Sequence, residues 1–435
     1  MSRVLRHSPS SPAIRKGAIS TSSSDKVAPA FLNVLQHHKN LPLLARRFKR
    51  SYSTIWRRPD GLFLNYPDRA IMKELMLLYK RPKDVDLIIV TDSEGILGIG
   101  DQGVGGVLIS IGKGNIYSLG AGIDPQRILP VVLDVGTDNQ LLLNDPLYLG
   151  LRRSRMRGEE YDNFVDQFCT IVREYYSDAF LHFEDFGVTN AGRILNKYRP
   201  LQSCFNGTAG LGIADGIRNA LMIEGGLTSE EARKCFWSGV LDRPGLLTTD
   251  SAGLRPGQEN FVRDVEEVTQ WARDEKDGIN LLEVVKQAKP TILIGCSTMA
   301  GAFNEKALMA TGSPFPPIKM ADGKLKIIGQ SNNALVYPGF GLGVIISKAS
   351  KLTDPMITAG VTALAKLAPA LEDPDQSLLP SLEDLRIVSV KVATAVANAA
   401  RAEGVAQDHL EEDWTEDEVR RAQWDPVYRP LELVE

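Results

Sequence analysis

The sequence predicts an α/β fold built on a mostly parallel sheet. Three apolar runs carry that reading: Val85–Val90, Arg127–Leu133 and Ala179–Leu181. Each has the length and branched or aromatic content of a buried strand. Each is followed by acids: Asp92, then Asp134 and Asp138, then Glu184-Asp185. A helical stretch from Tyr161 to Tyr176, with Phe164, Phe168, Ile171 and Val172 near one face, separates the second run from the third. Strands alternating with helices pair in parallel. Their polar ends then gather at the carboxyl edge, where open α/β sheets bind ligands.

The elements follow in order. Residues 1–50 show little organisation and end in a basic cluster, Arg46-Arg47-Phe48-Lys49-Arg50. The α/β pattern begins near Trp56. The first predicted strand ends at Thr91-Asp92 and leads into a glycine-dense segment: Gly95, Gly98, Gly100, Gly103, Gly105 and Gly106. The second ends in Asp134-Val135-Gly136-Thr137-Asp138-Asn139, and the third delivers Glu184 and Asp185. A second α/β unit starts near residue 205. Gly207 to Ala214 opens a helix that runs to about Ile223, and a strand-like Val240-Leu241 leads to Asp242-Arg243. A helix over Leu281–Ala288, a strand over Thr291–Gly295 and an alanine-rich helix over Val390–Glu403 complete it. The division is 1–50, a poorly organised segment; 51–200, a first α/β domain; 201–410, a second; and 411–435, a tail. No internal repeat is present.

Composition narrows the function. A chain of 435 residues is too long for one ordinary core. A net charge of -4 argues against a general nucleic-acid binder, which needs a basic face. No apolar run approaches the ~20 residues that span a bilayer, so no membrane partner is expected. Cys169, Cys204, Cys235 and Cys296 form no CxxC and have no histidine at ligand spacing, which points to a reducing compartment. The first 24 residues carry Arg3, Arg6, Arg15, Lys16 and eight serines, with no acid before Asp25. That is the pattern of a mitochondrial transit peptide, although Pro9 and Pro12 weaken any helix there. The matrix is the expected location, with the cytoplasm as the alternative.

Four motifs bear on chemistry. Two adjacent carboxylates at a strand end, Glu184 and Asp185, repel each other unless a cation lies between them; an N-cap beside a solvated acid is the plainer alternative. Glycines at a strand-to-helix turn let the backbone approach a pyrophosphate. If Gly207 and Gly210 are the second and third of that fingerprint, the first falls on Phe205. Leu201 to Asn206 also makes a poor buried strand, so a simple helix-start turn is the alternative. Asp242 is placed to take ribose hydroxyls. Lys113 can act as a base only if its surroundings lower its pKa from about 10.4 toward roughly 7–8, and spacing alone favours a surface lysine. Asn332-Asn333 before Tyr337-Pro338-Gly339 can hydrogen-bond a carboxylate substrate or simply occupy a turn.

These segments together resemble the malic enzyme family, particularly its fungal NAD-dependent mitochondrial members. The matching text includes Arg57-Arg58-Pro59-Asp60-Gly61-Leu62-Phe63, Ile96 to Gly103, Asp134 to Asn139 and His182-Phe183-Glu184-Asp185-Phe186-Gly187. It continues through Gly207 to Ala214, Ala310 to Pro317, Gly329 to Asn333 and Trp424 to Pro430. The resemblance implies a malic enzyme-like N-terminal α/β domain followed by a Rossmann-like NAD-binding domain, here incomplete. It implies oxidation of L-malate with NAD, or alternatively NADP, and decarboxylation to pyruvate with Mg2+ or Mn2+. By position, Lys113 matches the base that takes the proton from malate's hydroxyl. Glu184 and Asp185 match two of three metal carboxylates, and Asn333 the asparagine that orients malate, with Asn332 beside it. Asp242 matches the acid near the adenosine ribose. A homodimer or homotetramer is implied as well.

The chain departs from the family at four places. Ala45 to Lys49 stands where a Tyr-Thr-Pro-Thr segment with the reprotonating tyrosine belongs. Phe205-Asn206 passes directly to Gly207-Thr208, omitting the third metal aspartate, a helix and a first nucleotide-domain strand. A Ser-Asn-Pro-Thr segment is absent between Phe303 and Leu308. Gly95 occupies the place of a substrate-binding arginine, although fungal-type members tolerate glycine there. The first three gaps each fall cleanly between matched blocks, the pattern of skipped coding segments. They predict weak or absent malate oxidation. The alternative function is a non-catalytic, nucleotide-binding subunit; a metal-free dehydrogenase of related build is disfavoured by the paired carboxylates and Asn332-Asn333.

Overall fold

Every residue of Leu87–Thr91 is buried, on both sides of the strand. The cause is a five-stranded sheet covered on each face. The computed structural model describes residues 61–96, 99–198, 204–205, 217–223, 225–235, 241–242, 245–254, 261–274, 278–289, 310–312, 316–319, 323–408 and 412–427. The strands are β1 (Leu62–Asn65), β2 (Leu87–Thr91), β3 (Ile128–Asp134), β4 (Phe180–Phe183) and β5 (Cys204–Phe205), in the order β1-β3-β2-β4-β5. Each neighbouring pair is parallel, as strand-helix alternation predicts. The three expected strands are β2, β3 and β4. β1 was not foreseen, because four residues are too few to show a period. β5 corrects the reading of 201–206 as unsuited to a strand: Cys204 and Phe205 pair with Leu181 and His182.

Alternation along the strands sorts their side chains into two cores. Ile88, Val90, Leu181 and Phe183 face helices α1 (Met72–Tyr79), α3 (Glu159–Tyr175) and α4 (Val188–Tyr198), joining Met76, Phe164, Phe168 and Ile194. Leu87, Ile89 and Phe180 face the opposite way. α2 (Val107–Ile116) lies on that side, where Gly114 lets it approach closely: a Cβ there would be 3.2 Å from Ile128 and 3.6 Å from Ile89. The rest of that layer comes from much later in the chain. α6 (Tyr337–Ser347), α7 (Asp354–Ala365), α8 (Leu385–Ala402) and α9 (Glu416–Ala422) supply Phe340, Met356, Val392, Val396 and Val419 to the same core. The predicted helix at Val390–Glu403 is α8, extended toward its N-terminus.

Between β5 and α6 the described secondary structure is sparse. α5 occupies Leu281–Ala288, as predicted, capped by Asn280. Leu246, Val268, Ile279 and Val284 form a small third core with Trp271. Leu241–Asp242 runs antiparallel to Gly245–Leu246, and Ile318–Lys319 antiparallel to Leu325–Lys326. Ala310–Thr311 pairs in parallel with Gly329–Gln330. Among the described residues none of these pairs gains a third strand. The strand expected at Thr291–Gly295 and the turn at Gly207–Ala214 lie outside the described residues. Among the described residues no helix is long and apolar enough to cross a membrane.

The contact between α6 and α8 depends on glycine. A Cβ at Gly339 would lie 2.6 Å from Val392 Cβ, and one at Gly343 would lie 2.7 Å from Val396 Cβ and 2.9 Å from the Ala393 carbonyl oxygen. Alanine is favoured over glycine inside a helix by about 1 kcal/mol, but overpacking typically costs about 1–3 kcal/mol, and backbone on the far side cannot yield. Gly343→Ala is therefore expected to lower stability by about 1–2 kcal/mol, read from the urea midpoint. A stabilised variant would show that the two helices do not meet as described.

Candidate active site

The site begins with the register of β4. Phe180, His182 and Glu184 alternate to the α2 side of the sheet. Glu184 lies just past the strand, yet its amide still donates to the Val90 carbonyl at 2.8 Å. Its side chain is therefore fixed at the carboxyl edge, 8% exposed. Lys113 reaches it from α2 and is 9% exposed. The ammonium Nζ stands 3.1 Å from Glu184 Oε1 and donates to Asn333 Oδ1 at 3.3 Å. It also lies 4.5 Å from the centre of the Tyr337 ring. Glu184 Oε2 meets His182 Nε2 at 2.8 Å, and His182 Nδ1 meets Tyr117 Oη at 2.8 Å. Tyr117 follows Lys113 by four residues, so the helix presents both on one face. Burial pushes the Glu184 carboxyl up, but the His182 hydrogen bond and the Lys113 charge outweigh it and hold the group below the usual range.

The neighbouring strand ends are held by their own polar network. Two residues adopt left-handed backbone: Ser93 after β2 (φ 61) and Asp185 after β4 (φ 48). Such conformations cluster at functional sites when the surroundings enforce them. Here Thr91 Oγ1 accepts from the Ser93 amide at 2.9 Å, and the Asp185 carbonyl accepts from the Gly95 amide at 3.3 Å. Asp92 accepts from Tyr161 Oη at 2.7 Å and from the Gly187 amide at 3.3 Å, tying β2 to the turn after β4. Arg155 grips Asp101 with both ends of its guanidinium, at 2.8 and 2.7 Å, and donates to the Asp92 carbonyl at 2.8 Å. Asp134 serves its own loop, accepting from the Gly136 and Leu151 amides at 3.1 and 2.7 Å.

The fold thus brings Lys113, Glu184 and Asn333 together from residues 220 apart at the extremes. Lys113 corrects an expectation: spacing favoured a surface position, whereas α2 buries it against a carboxylate. Asp185 is half-buried beside the site. Asn332 is engaged otherwise, its Oδ1 capping a short helical turn through the Ala334 amide at 2.9 Å. Asp242 lies in the short antiparallel pair with Gly245. Gly207 and Gly210 lie outside the described residues. Gly95 has a steric basis, since a Cβ there would be 2.7 Å from the Phe186 carbonyl oxygen. His182, Tyr117 and Tyr337 went unassigned in the sequence. The i, i+2 spacing of His182 and Glu184 was the available signal for the first.

Glu184→Gln would remove the counter-charge from a buried ammonium. Breaking such a pair typically costs about 3–5 kcal/mol, and that loss of unfolding free energy is expected at neutral pH. Because the folded-state pKa of Glu184 is depressed, its contribution is full above the ordinary carboxylate range, about 4.3, and is lost as pH falls through the folded value. Urea midpoints measured against pH should show a shallower acid slope in Glu184→Gln. A variant as stable as the unsubstituted chain would contradict the pairing.

Comparison with known proteins gives the family of the chain. Residues 40–199 match the family described as "Malic enzyme, N-terminal domain". "Malic enzyme, NAD binding domain" matches in two stretches, 201–308 and 304–401. "NAD-dependent malic enzyme 3" of Bacillus subtilis (strain 168) is 40% identical, over 97% of this chain and 88% of that protein. "NAD-dependent malic enzyme, mitochondrial" of Saccharomyces cerevisiae is 38% identical, over 88% of this chain and 69% of that protein. "NAD-dependent malic enzyme" of Acinetobacter baylyi is 37% identical, over 88% and 79%. The Bacillus alignment runs to 503 positions, while 97% of 435 residues is about 422, so about 80 positions of the relative face no residue here. With both domains matched and this extent of identity, the chain belongs to the malic enzyme family.

Proposed function

We propose that the chain performs its family's chemistry, NAD-linked oxidative decarboxylation of L-malate to pyruvate and CO2, and that it does so slowly. The observation that supports this reading is Lys113, buried with Glu184 and Asn333 at the carboxyl edge of a parallel sheet. Lys113 is the group placed to take the proton from malate's C2 hydroxyl. Asn333 orients the substrate beside it, with Asn332 holding that turn in shape. NAD, when bound, accepts the hydride from C2. Gly207 and Gly210 would line its pyrophosphate and Asp242 its ribose; NADP is the alternative, because Arg243 adjoins Asp242. Like the family, the chain would assemble as a homodimer or homotetramer. The mitochondrial matrix is its proposed location, on the basic, serine-rich first 24 residues and the likeness to the yeast relative named as mitochondrial. The bacterial relatives keep the cytoplasm as the alternative.

The reason for slow turnover is the cation site. Glu184 and Asp185 are the pair proposed for Mg2+ or Mn2+. Among the described residues no group of three or more His, Cys, Asp or Glu could hold a metal ion. Glu184 Oε1 already meets Lys113 and Oε2 meets His182. Mg2+ requires near-ideal octahedral oxygen coordination. Among the described residues no third carboxylate completes that coordination, and a cation entering here would compete with Lys113 for Glu184. These contacts also favour the second reading, a non-catalytic subunit that binds nucleotide.

The test is NADH formation by the purified full chain with L-malate, NAD and Mn2+. A rate well below the ~10 s-1 of an ordinary enzyme is expected, and Lys113→Ala should reduce it a further ~100-fold or more. An unchanged rate in Lys113→Ala would overturn the assignment. A complete absence of malate-dependent NADH would favour the second reading.

A further inference from the structure

We infer that Tyr117 and His182 form a positioning dyad that fixes the Glu184 carboxylate opposite Lys113. Three contacts run in series: Tyr117 Oη to His182 Nδ1 at 2.8 Å, His182 Nε2 to Glu184 Oε2 at 2.8 Å, and Glu184 Oε1 to Lys113 Nζ at 3.1 Å. Tyr117 is 0% and His182 1% exposed. A carboxylate only accepts hydrogen bonds, so the ring proton facing Glu184 is on Nε2. A ring with a single proton donates from one nitrogen and accepts at the other. Nδ1 is then bare and must accept, and the Tyr117 hydroxyl is its donor. The phenol therefore selects the tautomer, the tautomer holds Oε2, and Oε1 is left for the lysine. This is the rule by which the bond to one ring nitrogen sets the proton on the other.

Tyr337 completes the enclosure. Its ring meets Tyr117 edge-on with centroids 4.9 Å apart and His182 at 5.7 Å. Both members of the dyad are buried and act through Glu184 on the place of Lys113 Nζ. Misplacing a reacting group by 1 Å can cost about 100-fold. The catalytic consequence rests on Lys113 as the base, the reading proposed above, whereas the tautomer does not.

The test is long-range proton-nitrogen NMR of the full chain labelled with 15N-histidine. There are five histidines, and His182 is identified by the signal lost in His182→Gln. The expected ring has a protonated Nε2 and a bare Nδ1. In Tyr117→Phe the Nδ1-protonated form should appear, and kcat for malate should fall about 10-fold with KM within about twofold. Tyr337→Phe removes a buried hydroxyl that has no partner among the described residues, and should leave the tautomer unchanged. An Nδ1-protonated or doubly protonated ring in the unsubstituted chain would overturn the inference. So would a Tyr117→Phe chain in which the ring keeps its tautomer or kcat keeps its value. The unsubstituted spectrum decides the tautomer even if the variant does not fold. If no malate were turned over while the tautomer stood as assigned, the proposed function would fail and the dyad would remain.

Discussion

The buried pair between Lys113 and Glu184 is the interaction around which the site is organised. A carboxylate taken out of water at the end of β4 is costly unless partners replace its solvation. Here one partner comes from α2, one from β4 itself, and a third group, Asn333, reaches the same ammonium from the turn before α6. The pair thus ties the sheet to a helix beside it and to a segment far along the chain. The apolar contacts of Phe180, Tyr117 and Phe340 in the core beneath bring those elements together; the charges fix their register at the edge. Removing either charge alone leaves the other buried, which makes the pair a stronger constraint on geometry than on net stability.

The sequence made much of this framework legible. Apolar runs of strand length were sufficient for β2, β3 and β4, because strands buried on both faces read as continuous hydrophobic text. The 3.6-residue pattern in Tyr161–Tyr176 was sufficient for α3. β5 was not legible, since Cys204-Phe205 is too short for periodicity and is defined by its partner β4. α2 was hidden by Gly112 and Gly114, poor helix formers, of which Gly114 lets the helix approach the sheet closely. The burial of Lys113 depends on that same approach, so no local pattern could have shown it. The acid at Glu184 was visible as a strand-end carboxylate, but its pairing with lysine and histidine depends on tertiary structure.

Loss of segments from the family pattern reads differently at the two ends of the chain. The sheet of the first α/β unit and the helices from Tyr337 onward share one continuous core. Between them, the described strands are two residues long, and the described core is a few side chains around α5. A parallel sheet needs helices on both faces and several strands to bury itself. The first unit keeps its architecture because its sheet is closed by residues on both sides of the gaps.

The central claim is that Lys113 and Glu184 are energetically coupled within a buried cluster. A double-mutant cycle with Lys113→Met, Glu184→Gln and the combined variant measures this directly, by unfolding free energy in urea at neutral pH. The account predicts a coupling of at least about 1.5 kcal/mol, within the range for residues in one salt-bridge network, with the double variant more stable than the sum of the single losses. Additivity to within about 0.5 kcal/mol, the behaviour of independent sites, would contradict it.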